Sequence, residues 1–355
     1  MKLVVDCRIL SLSYHYGLSR FTAQIVAELY KITPLTVMIY DDRQLKHLPP
    51  GIPIVYGPKP AGRNQRIVTK ILNGLEPDVV FAPTIFFTAG KRNFNLVISL
   101  HDIIGFTAKQ PIGPESPVAG RVAWKLYHSI KLPYQSVLNR ADHIITVSND
   151  AKNDIITFLK PKTHVSVVYN APPALKRVSY DHASKTIVYM GAFVGYKNVA
   201  TLIRAINLLP GYRLVCLSKI HPKTKARLLK LATKPSQVEF RNGVTDDEYM
   251  AELSRAAALV TASYHEGFGL PLIEAQTMGI PVVCSDIPVL HEVCGESGAL
   301  YFEPSSHEQL AEQILQLPAQ HNALIAAGFN NVKRFSWQKS AKELYGILQN
   351  CATKK

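Results

Sequence analysis

Two glutamates, Glu266 and Glu274, stand eight positions apart in a stretch whose residue types could do chemistry. Gly267 and Gly269 lie between them, Pro271 follows, and the run before them is apolar. This order predicts a strand, a glycine-rich loop and a helix that opens at the proline. A glycine backbone can approach a phosphate closely, and the free N–H groups of a helix start attract anions. The stretch therefore predicts an anion site with one acid at the loop and the other in the helix.

An ordinary joint between a strand and a helix, with two solvated glutamates, explains the same spacing about equally well. In the chemical interpretation, one acid faces reactants and the other faces a neighbouring polar group. The spacing alone does not choose between the two.

Three other positions could hold a polar ligand. Gly17 precedes a predicted helix, but the chain has no G-x-G-x-x-G and no G-K-[ST], and a plain turn is an equal alternative. His101 ends a predicted strand, where it could hydrogen-bond a sugar hydroxyl or move a proton, or simply be solvated. Lys197 opens a predicted helix and could neutralise a diphosphate, although a solvated lysine is the more frequent case.

No metal site is predicted. Acidic residues are not clustered as D-x-D, and His265-Glu266 has no second histidine at H-E-x-x-H spacing. The five cysteines are scattered and lack C-x-x-C spacing, which disfavours a disulfide frame or a zinc site and suits a reducing cytosol. No apolar run approaches the roughly 18 residues of a spanning helix, and charge follows too early for a signal peptide. We therefore expect a cytoplasmic protein.

The length and the apolar pattern predict two domains. A chain of 355 residues exceeds the size at which one core usually divides. Short apolar strands alternate with helical stretches, seven strands up to Tyr169 and six from Thr186 onward, which is typical of parallel, doubly wound sheets. The predicted fold class is α/β, with two Rossmann-like domains facing a cleft.

The predicted boundaries are 1–170 for the first domain, 171–185 for a linker, 186–335 for the second domain and 336–355 for a C-terminal helix. The linker contains Pro172 and Pro173 and has little periodicity. Two separate helices are predicted over His307–Leu315 and near Ala319–Phe335.

The formal net charge is +14, and residues 1–170 contain 20 Lys and Arg against 11 Asp and Glu. Such a balance favours an anionic partner, which could be nucleic acid, an anionic membrane surface or phosphorylated substrates. Two predicted helices carry basic faces, with Arg63, Arg66 and Lys70 on one and Arg121 and Lys125 on the other. Basic helices of this kind can lie on a membrane, although a charged face of an ordinary surface helix is the more frequent explanation.

The run from Ser263 to Asp286 resembles the signature of the family-4 retaining glycosyltransferases, which have the GT-B fold. Individually weaker matches lie in the right order over most of the chain. They are Asp6-Cys-Arg8, Gly17-Leu-Ser-Arg20, His101-Asp102, Thr146-Val-Ser148, Gly191 with Lys197-Asn198, Gly243 to Tyr249, Pro288 with His291-Glu292, and Ser336-Trp337.

The resemblance implies a role for each site residue. Glu266 would lie at the donor hexose near its anomeric centre, Glu274 would accept from the ribose hydroxyls, and Lys197 would pair with the diphosphate. His101 would contact the sugar, and Gly17 would line the cleft near phosphate and acceptor. The backbone at four positions would hold the leaving diphosphate: Gly267, Phe268, Gly269 and Leu270.

The family resemblance also implies retention at the anomeric carbon, no metal or other cofactor, and a C-terminal helix that crosses back to the first domain. Two positions depart from the family pattern, since Ala192 and Tyr196 stand where many relatives carry a diphosphate-binding arginine. His265, where tyrosine is usual, is a smaller departure. A weaker grip on the donor or a changed donor preference is the expected consequence.

The leading hypothesis is a retaining hexosyltransferase that uses a nucleotide-sugar donor and a glycan or lipid-linked acceptor in the synthesis of surface polysaccharide or glycolipid. GDP-mannose is slightly favoured over UDP-glucose. The basic first domain suggests peripheral contact with the inner face of the plasma membrane, and no nucleic-acid partner is expected. The alternatives are a non-catalytic basic protein that binds membrane or nucleic acid, and a sugar-nucleotide epimerase on the same fold.

Overall fold

The computed structural model describes residues 1–12, 17–60, 65–85, 91–108, 117–122 and 131–353. The chain forms two compact units. The first consists of Met1–Ile103, Ile130–Ala171 and Phe335–Lys355, and the second of Ile104–Ser129 and Pro172–Arg334. The described part of 104–122 thus groups with the second unit, whereas the sequence predicts a first domain that runs unbroken to residue 170.

The described strands are β1 Leu3–Asp6, β2 Leu35–Ile39, β3 Ile54–Tyr56, β4 Val79–Ala82, β5 Asn95–Ser99, β6 His143–Thr146, β7 Val165–Val167, β8 Thr186–Tyr189, β9 Arg213–Cys216, β10 Val238–Phe240, β11 Ala258–Thr261, β12 Val282–Ser285 and β13 Leu300–Phe302. The described helices are α1 Gly17–Ile32, α2 Gln65–Leu75, α3 Ile104–Thr107, α4 Leu132–Leu138, α5 Asn149–Asp154, α6 Val199–Asn207, α7 Pro222–Leu229, α8 Asp246–Ser254, α9 Leu270–Met278, α10 Pro288–Cys294, α11 His307–Val332 and α12 Trp337–Ala352. Residues 118–122 are also helical.

Each unit is built on one parallel sheet. The first unit has seven strands in the order β3-β2-β1-β4-β5-β6-β7, and the second has six in the order β10-β9-β8-β11-β12-β13. The central strands β1, β4, β8 and β11 are buried along their whole length. Continuous burial explains their apolar, β-branched sequences, because helices cover both faces of a doubly wound sheet. The predicted α/β class with two Rossmann-like units is confirmed.

The strand order reverses once in each sheet, between β1 and β4 and between β8 and β11. At such a switch point the loops after the two neighbouring strands diverge and leave a crevice, where open α/β sheets bind their ligands. In the second unit β8 and β11 pair directly, with Ala258 beside Ile187. A ligand site is therefore expected in the loops that follow these two strands.

The last helix, α12, belongs to the first unit and packs on α1. The rings of Phe21 and Trp337 meet edge to face at 5.9 Å, and the Ser340 hydroxyl donates to the carbonyl oxygen of Tyr169 at 2.7 Å. The crossing back of the C-terminal helix, predicted from the family resemblance, is thus present within this unit.

The two helices predicted on either side of Pro318 form a single helix, α11, of 26 residues. Proline lacks the N–H that would bond to Ile314, so the prediction of a break is physically reasonable. The buried stripe of Leu310, Ile314, Leu317 and Leu324 nevertheless continues across the proline on one face. Burial of this face compensates for the missing hydrogen bond, and the prediction was wrong for that reason.

The segment predicted as a linker has neither helix nor strand between residues 172 and 185. It is tied to the second unit by hydrogen bonds, since the Val178 N–H donates to the Met278 carbonyl at 2.9 Å and the Tyr180 hydroxyl donates to the Ala257 carbonyl at 3.0 Å. The segment is thus held to the second unit at both of these points.

Candidate functional site

The candidate site in the second unit is formed by the loops after β8 and β11. The first loop ends in a short 3-10 turn, Gly195–Lys197, and the second carries Glu266. The Tyr264 N–H donates to the Tyr196 carbonyl at 2.8 Å, so the two loops are joined by their backbones as well as by their side chains. Strand pairing therefore brings together residues that lie far apart in sequence.

Lys197 and Glu266 form an ion pair at this point. The Lys197 Nζ lies 2.5 Å from the Glu266 Oε1, and the side chains are only 16% and 12% exposed. A nearly buried pair interacts more strongly than an exposed one, because little water screens it. The sequence predicted both residues for the donor site, but it did not predict that they contact each other.

Two hydroxyls extend the site behind Glu266. The Ser263 hydroxyl donates to the Glu266 Oε1 at 2.8 Å, and the Ser263 Oγ lies 3.1 Å from the Thr261 Oγ1. Ser263 is fully buried, and Thr261 ends β11. Ser263 begins the signature run and Thr261 precedes it by two residues, and the sequence analysis gave neither a role.

The helix α9 begins without a side-chain cap, so the N–H groups at its start are not used by a capping side chain. Its cap residue, Gly269, has φ 100° and ψ 47° in the left-handed region, and a Cβ there would lie 3.1 Å from the Leu272 Cδ1. Glycine is therefore the residue that fits. Pro271 has no N–H, and the Leu272 N–H already bonds to the Gly269 carbonyl. The N–H groups of Gly269 and Leu270 remain for an anion, with the helix dipole behind them.

Glu274 is buried in the middle of α9, with 2% of its surface exposed. Its Oε2 accepts a hydrogen bond from the hydroxyl of Tyr249, on α8, at 2.9 Å. Glu274 thus has a polar neighbour, a tyrosine to which the sequence analysis gave no role. Its signals were the family match of Gly243 to Tyr249 and the capping box that starts α8, in which Thr245 and Glu248 bond reciprocally and fix the helix.

Gly191, just after β8, is a second position where only glycine fits. A Cβ there would lie 2.6 Å from the Tyr189 hydroxyl oxygen, which donates to the Ala192 carbonyl at 2.8 Å. The Gly191 N–H donates to the Ser218 Oγ at 3.1 Å. The loop that carries Lys197 is therefore anchored at its base by a buried tyrosine and a serine.

His101 belongs to the first unit and follows β5. Its ring stands edge to face on Phe21 at 4.7 Å, and its Nε2 is buried and bonds to no described residue. The residue as a whole is partly exposed, but burial of the ring lowers the pKa of His101 from 6.5 to about 4. The imidazole is therefore neutral near pH 7 and can donate or accept one hydrogen bond without carrying charge.

Gly17 is the first residue of α1 and is exposed. A Cβ at this position would meet no atom of the described residues within 4 Å, so the described part of the fold does not require glycine there. The switch point of the first unit instead holds a buried pair, in which Arg8 grips Asp6 through Nε at 2.8 Å and Nη2 at 2.7 Å.

The basic helices predicted for membrane contact are described only in part. Arg66 and Lys70 are exposed on α2, with Ile67 between them at 52% exposure, and Arg121 is exposed as well. Arg63 and Lys125 lie outside the described residues.

The described residues contain neither a metal-binding cluster nor a membrane-spanning helix. Within them, no group of three or more His, Cys, Asp or Glu side chains is placed to hold a metal ion. No helix of the described part is long and apolar enough to span a membrane.

Two sequence models of known families match the chain. The family described as Glycosyl transferases group 1 matches residues 175–330, and the family described as Glycosyltransferase Family 4 matches residues 38–171. Together the two matches cover most of the chain, and they contain His101, Lys197, Glu266 and Glu274 but not Gly17.

Two relatives are similar in sequence over most of their length. The O-antigen chain mannosyltransferase RfbU of Salmonella typhimurium is 29% identical over 265 residues, which are 70% of this chain and 70% of that protein. The O-antigen chain mannosyltransferase B of Escherichia coli is 27% identical over 271 residues, 68% of this chain and 67% of that protein.

Solved structures share the fold at lower identity. Sucrose-phosphate synthase from Thermosynechococcus elongatus superimposes with a TM-score of 0.75 at 16% identity, over 99% of both chains. HepE of Anabaena, solved in complex with UDP-glucose, gives a TM-score of 0.73 at 17% identity, over 99% of this chain and 100% of that one. The family predicted from the run Ser263 to Asp286 is confirmed by the two sequence models, which together span most of the chain, and the chain belongs to the family-4 glycosyltransferases.

Proposed function

We propose that the chain is a retaining, metal-independent hexosyltransferase that moves mannose from a nucleotide diphosphate sugar to a glycan or lipid-linked acceptor. The observation that carries the proposal is the Lys197–Glu266 pair beside the uncapped start of α9, at the switch point of the second sheet. This arrangement offers a cation and backbone N–H groups for a leaving diphosphate, and a carboxylate for the sugar that it leaves.

The proposed reaction breaks the bond between the anomeric carbon and the diphosphate oxygen, and it forms a bond to an acceptor hydroxyl on the same face. The acceptor proton passes to the departing phosphate oxygen. Lys197 and the N–H groups of Gly269 and Leu270 stabilise the negative charge that develops on the diphosphate. The carboxylate of Glu266 stabilises the positive charge on the sugar ring. No covalent nucleophile is assigned.

The ribose of the donor has a proposed place in the same unit, where Glu274, held by Tyr249, accepts from its hydroxyls. The family resemblance also implies a sugar contact for His101, whose neutral ring would make it by a hydrogen bond. Mannose and a surface polysaccharide are preferred because both relatives are named O-antigen chain mannosyltransferases. UDP-glucose, the molecule named in the HepE complex, is the second donor to test.

The direct test is a panel of nucleotide sugars, including GDP-mannose and UDP-glucose, in the presence of EDTA. We expect release of GDP from GDP-mannose with a mannose-ended oligosaccharide as acceptor, and a product that keeps the donor's anomeric configuration by NMR. Turnover that requires added metal would refute metal independence, and an inverted product would refute retention. An isomerised donor without transfer would indicate an epimerase, and no donor consumption at all would indicate a binding protein.

We also propose that exposed basic residues place the protein on an anionic membrane surface. Arg66 and Lys70 flank the exposed Ile67 on α2, which combines charge with an apolar contact. Co-sedimentation with phosphatidylglycerol vesicles should fall strongly in the double variant Arg66→Glu, Lys70→Glu. The matched control reverses Lys223 and Arg227, which have the same spacing on the exposed face of α7. Equal loss in both variants would reduce the effect to net charge and overturn the proposal.

A further inference from the structure

Ser263 occupies a special position relative to Glu266. It is fully buried, it precedes Glu266 by three residues, and its hydroxyl donates to the Glu266 Oε1 at 2.8 Å. A serine hydroxyl has one proton, and that proton is used on the carboxylate. Between Ser263 and Thr261, which lie 3.1 Å apart, Thr261 must therefore be the donor. The two hydroxyls form a directed chain from the end of β11 to the carboxylate.

This chain determines which carboxylate oxygen is left for a reactant. Oε1 accepts from both Ser263 and Lys197, whereas Oε2 accepts no hydrogen bond from the described residues. A carboxylate fixed through one oxygen presents the other in a defined direction. Charge-assisted hydrogen bonds of this kind are stronger than neutral ones, so Ser263 and Lys197 together fix Oε1.

We propose that Ser263, supported by Thr261, is the positioning residue that orients the Oε2 of Glu266 toward the donor sugar. The inference rests on the proposed function, because it takes Glu266 to act on that sugar. Ser263 itself touches no reacting atom. Its removal should therefore slow the chemical step and leave donor binding nearly unchanged, since Lys197 and the start of α9 are intact.

The test is steady-state kinetics with GDP-mannose for Ser263→Ala and Thr261→Val, each made in the wild-type protein and in the Glu266→Gln variant. In the wild-type background we expect Ser263→Ala to lower kcat about 10-fold, with the donor KM changed less than about twofold. Thr261→Val, which only weakens the chain, should lower kcat by about threefold. In the Glu266→Gln background neither change should lower the residual rate further, because residues that act as a unit are not additive.

Ser285→Ala is the matched control. Ser285 ends the neighbouring strand β12, is fully buried, and its hydroxyl has no hydrogen-bond partner among the described residues. Loss of this hydroxyl should leave kcat and KM unchanged. This control measures the effect of removing a buried serine hydroxyl at a strand end that does not belong to the hydrogen-bonded chain.

The outcomes separate the inference from the proposed function. An unchanged kcat in Ser263→Ala, or losses that multiply with Glu266→Gln, would overturn the positioning role while Glu266 stayed essential. A Glu266→Gln variant that turns over donor at the wild-type rate would instead overturn the assignment of Glu266, and the inference with it. Should Ser263→Ala fold poorly, the pattern of Thr261→Val in the two backgrounds decides in the same way.

Discussion

The two units have the same strand order around their switch points, and each places an ion pair there, but the two pairs are built differently. In the first unit, both oxygens of the Asp6 carboxylate accept hydrogen bonds, since Oδ1 accepts from the Arg8 N–H and Nε and Oδ2 accepts from Nη2. Both side chains are 4% exposed. In the second unit, Lys197 and Glu266 are partly open, and one carboxylate oxygen has no partner among the described residues.

The difference separates a pair that holds its loop from the pair that we propose to act on the donor. The Arg8 Nη1 also donates to the Pro58 carbonyl, and Gln44 donates to the Arg8 carbonyl, so the first pair fixes its loop with both carboxylate oxygens bonded. The second pair leaves one carboxylate oxygen without a partner among the described residues, and its glutamate precedes the cap residue of α9 by three residues. We therefore expect changes in the first pair to affect stability and changes in the second to affect turnover.

The largest effect on stability is expected for Arg8→Ala. This change leaves Asp6 as an uncompensated buried charge, which typically costs about 3–5 kcal/mol of the free energy of unfolding. Urea unfolding measures the loss. Arg43→Ala is the matched control, because Arg43 grips Asp41 with the same spacing and the same two-bond geometry but at the exposed surface. Similar losses in the two variants would mean that burial is not what makes the first pair structural.

A second effect on the first unit is a pH dependence from His101. Its folded-state pKa of about 4 lies below the ordinary 6.5, so between these values the unfolded chain binds the proton and the folded one does not. Stability from the neutral ring is present above pH 6.5 and is lost as the pH falls toward 4. From pH 7 to pH 5 the loss should be about 2 kcal/mol.

Urea unfolding of wild type and of His101→Asn at both pH values tests this, because only the wild type has the titrating imidazole at position 101. Parallel pH dependences in the two proteins would show that the ring titrates normally. The difference between the two slopes isolates this group from the other residues that titrate over the same range.

In the second unit, Lys197→Ala should act on the donor. Loss of the only cation that contacts Glu266 among the described residues removes charge neutralisation at the proposed diphosphate, and we expect kcat/KM for GDP-mannose to fall about 30- to 100-fold. The unfolding midpoint should shift far less than in Arg8→Ala. A variant that loses stability and keeps kcat/KM would reverse the comparison between the two pairs.

The smallest effect is expected for Tyr249→Phe, which removes the hydroxyl that donates to Glu274. Loss of a buried hydrogen bond costs about 1–3 kcal/mol of the free energy of unfolding. The donor KM should rise severalfold, because Glu274 would hold the ribose less firmly. With a donor that lacks the ribose 2′- and 3′-hydroxyls, the variant and the wild type should differ little. Tyr180→Phe is the control. The Tyr180 hydroxyl donates to the Ala257 carbonyl, just before the amino-terminal end of β11 and away from the loops of the site, so this change should leave KM unchanged.

The sequence predicted those parts of the site that are local. The glycines, the proline and the two glutamates of one loop have signatures of their own, so the strand, loop and helix order at β11 and α9 was found with nearly correct bounds. The pairings across the fold could not be found in this way. Lys197 meets Glu266 across 69 positions, and Tyr249 meets Glu274 across 25.

Such contacts depend on which strands become neighbours in the sheet. A tyrosine in a predicted helix indicates only that its side chain is buried, not which group its hydroxyl contacts. The Asp6–Arg8 ion pair was not predicted for a related reason, because the sequence does not show that these two polar residues are buried. The single helix through Pro318 was missed because a local rule about proline was outweighed by a continuous buried face.

The central claim is that Glu266 acts on the donor sugar and does not serve the fold. It is tested most directly by the turnover of GDP-mannose in Glu266→Gln, with the unfolding midpoint measured on the same preparation. We predict that kcat falls at least about 100-fold, while the midpoint shifts by no more than about 2–4 °C. Wild-type turnover with every nucleotide sugar, or a collapse of the midpoint together with kcat, would contradict the account.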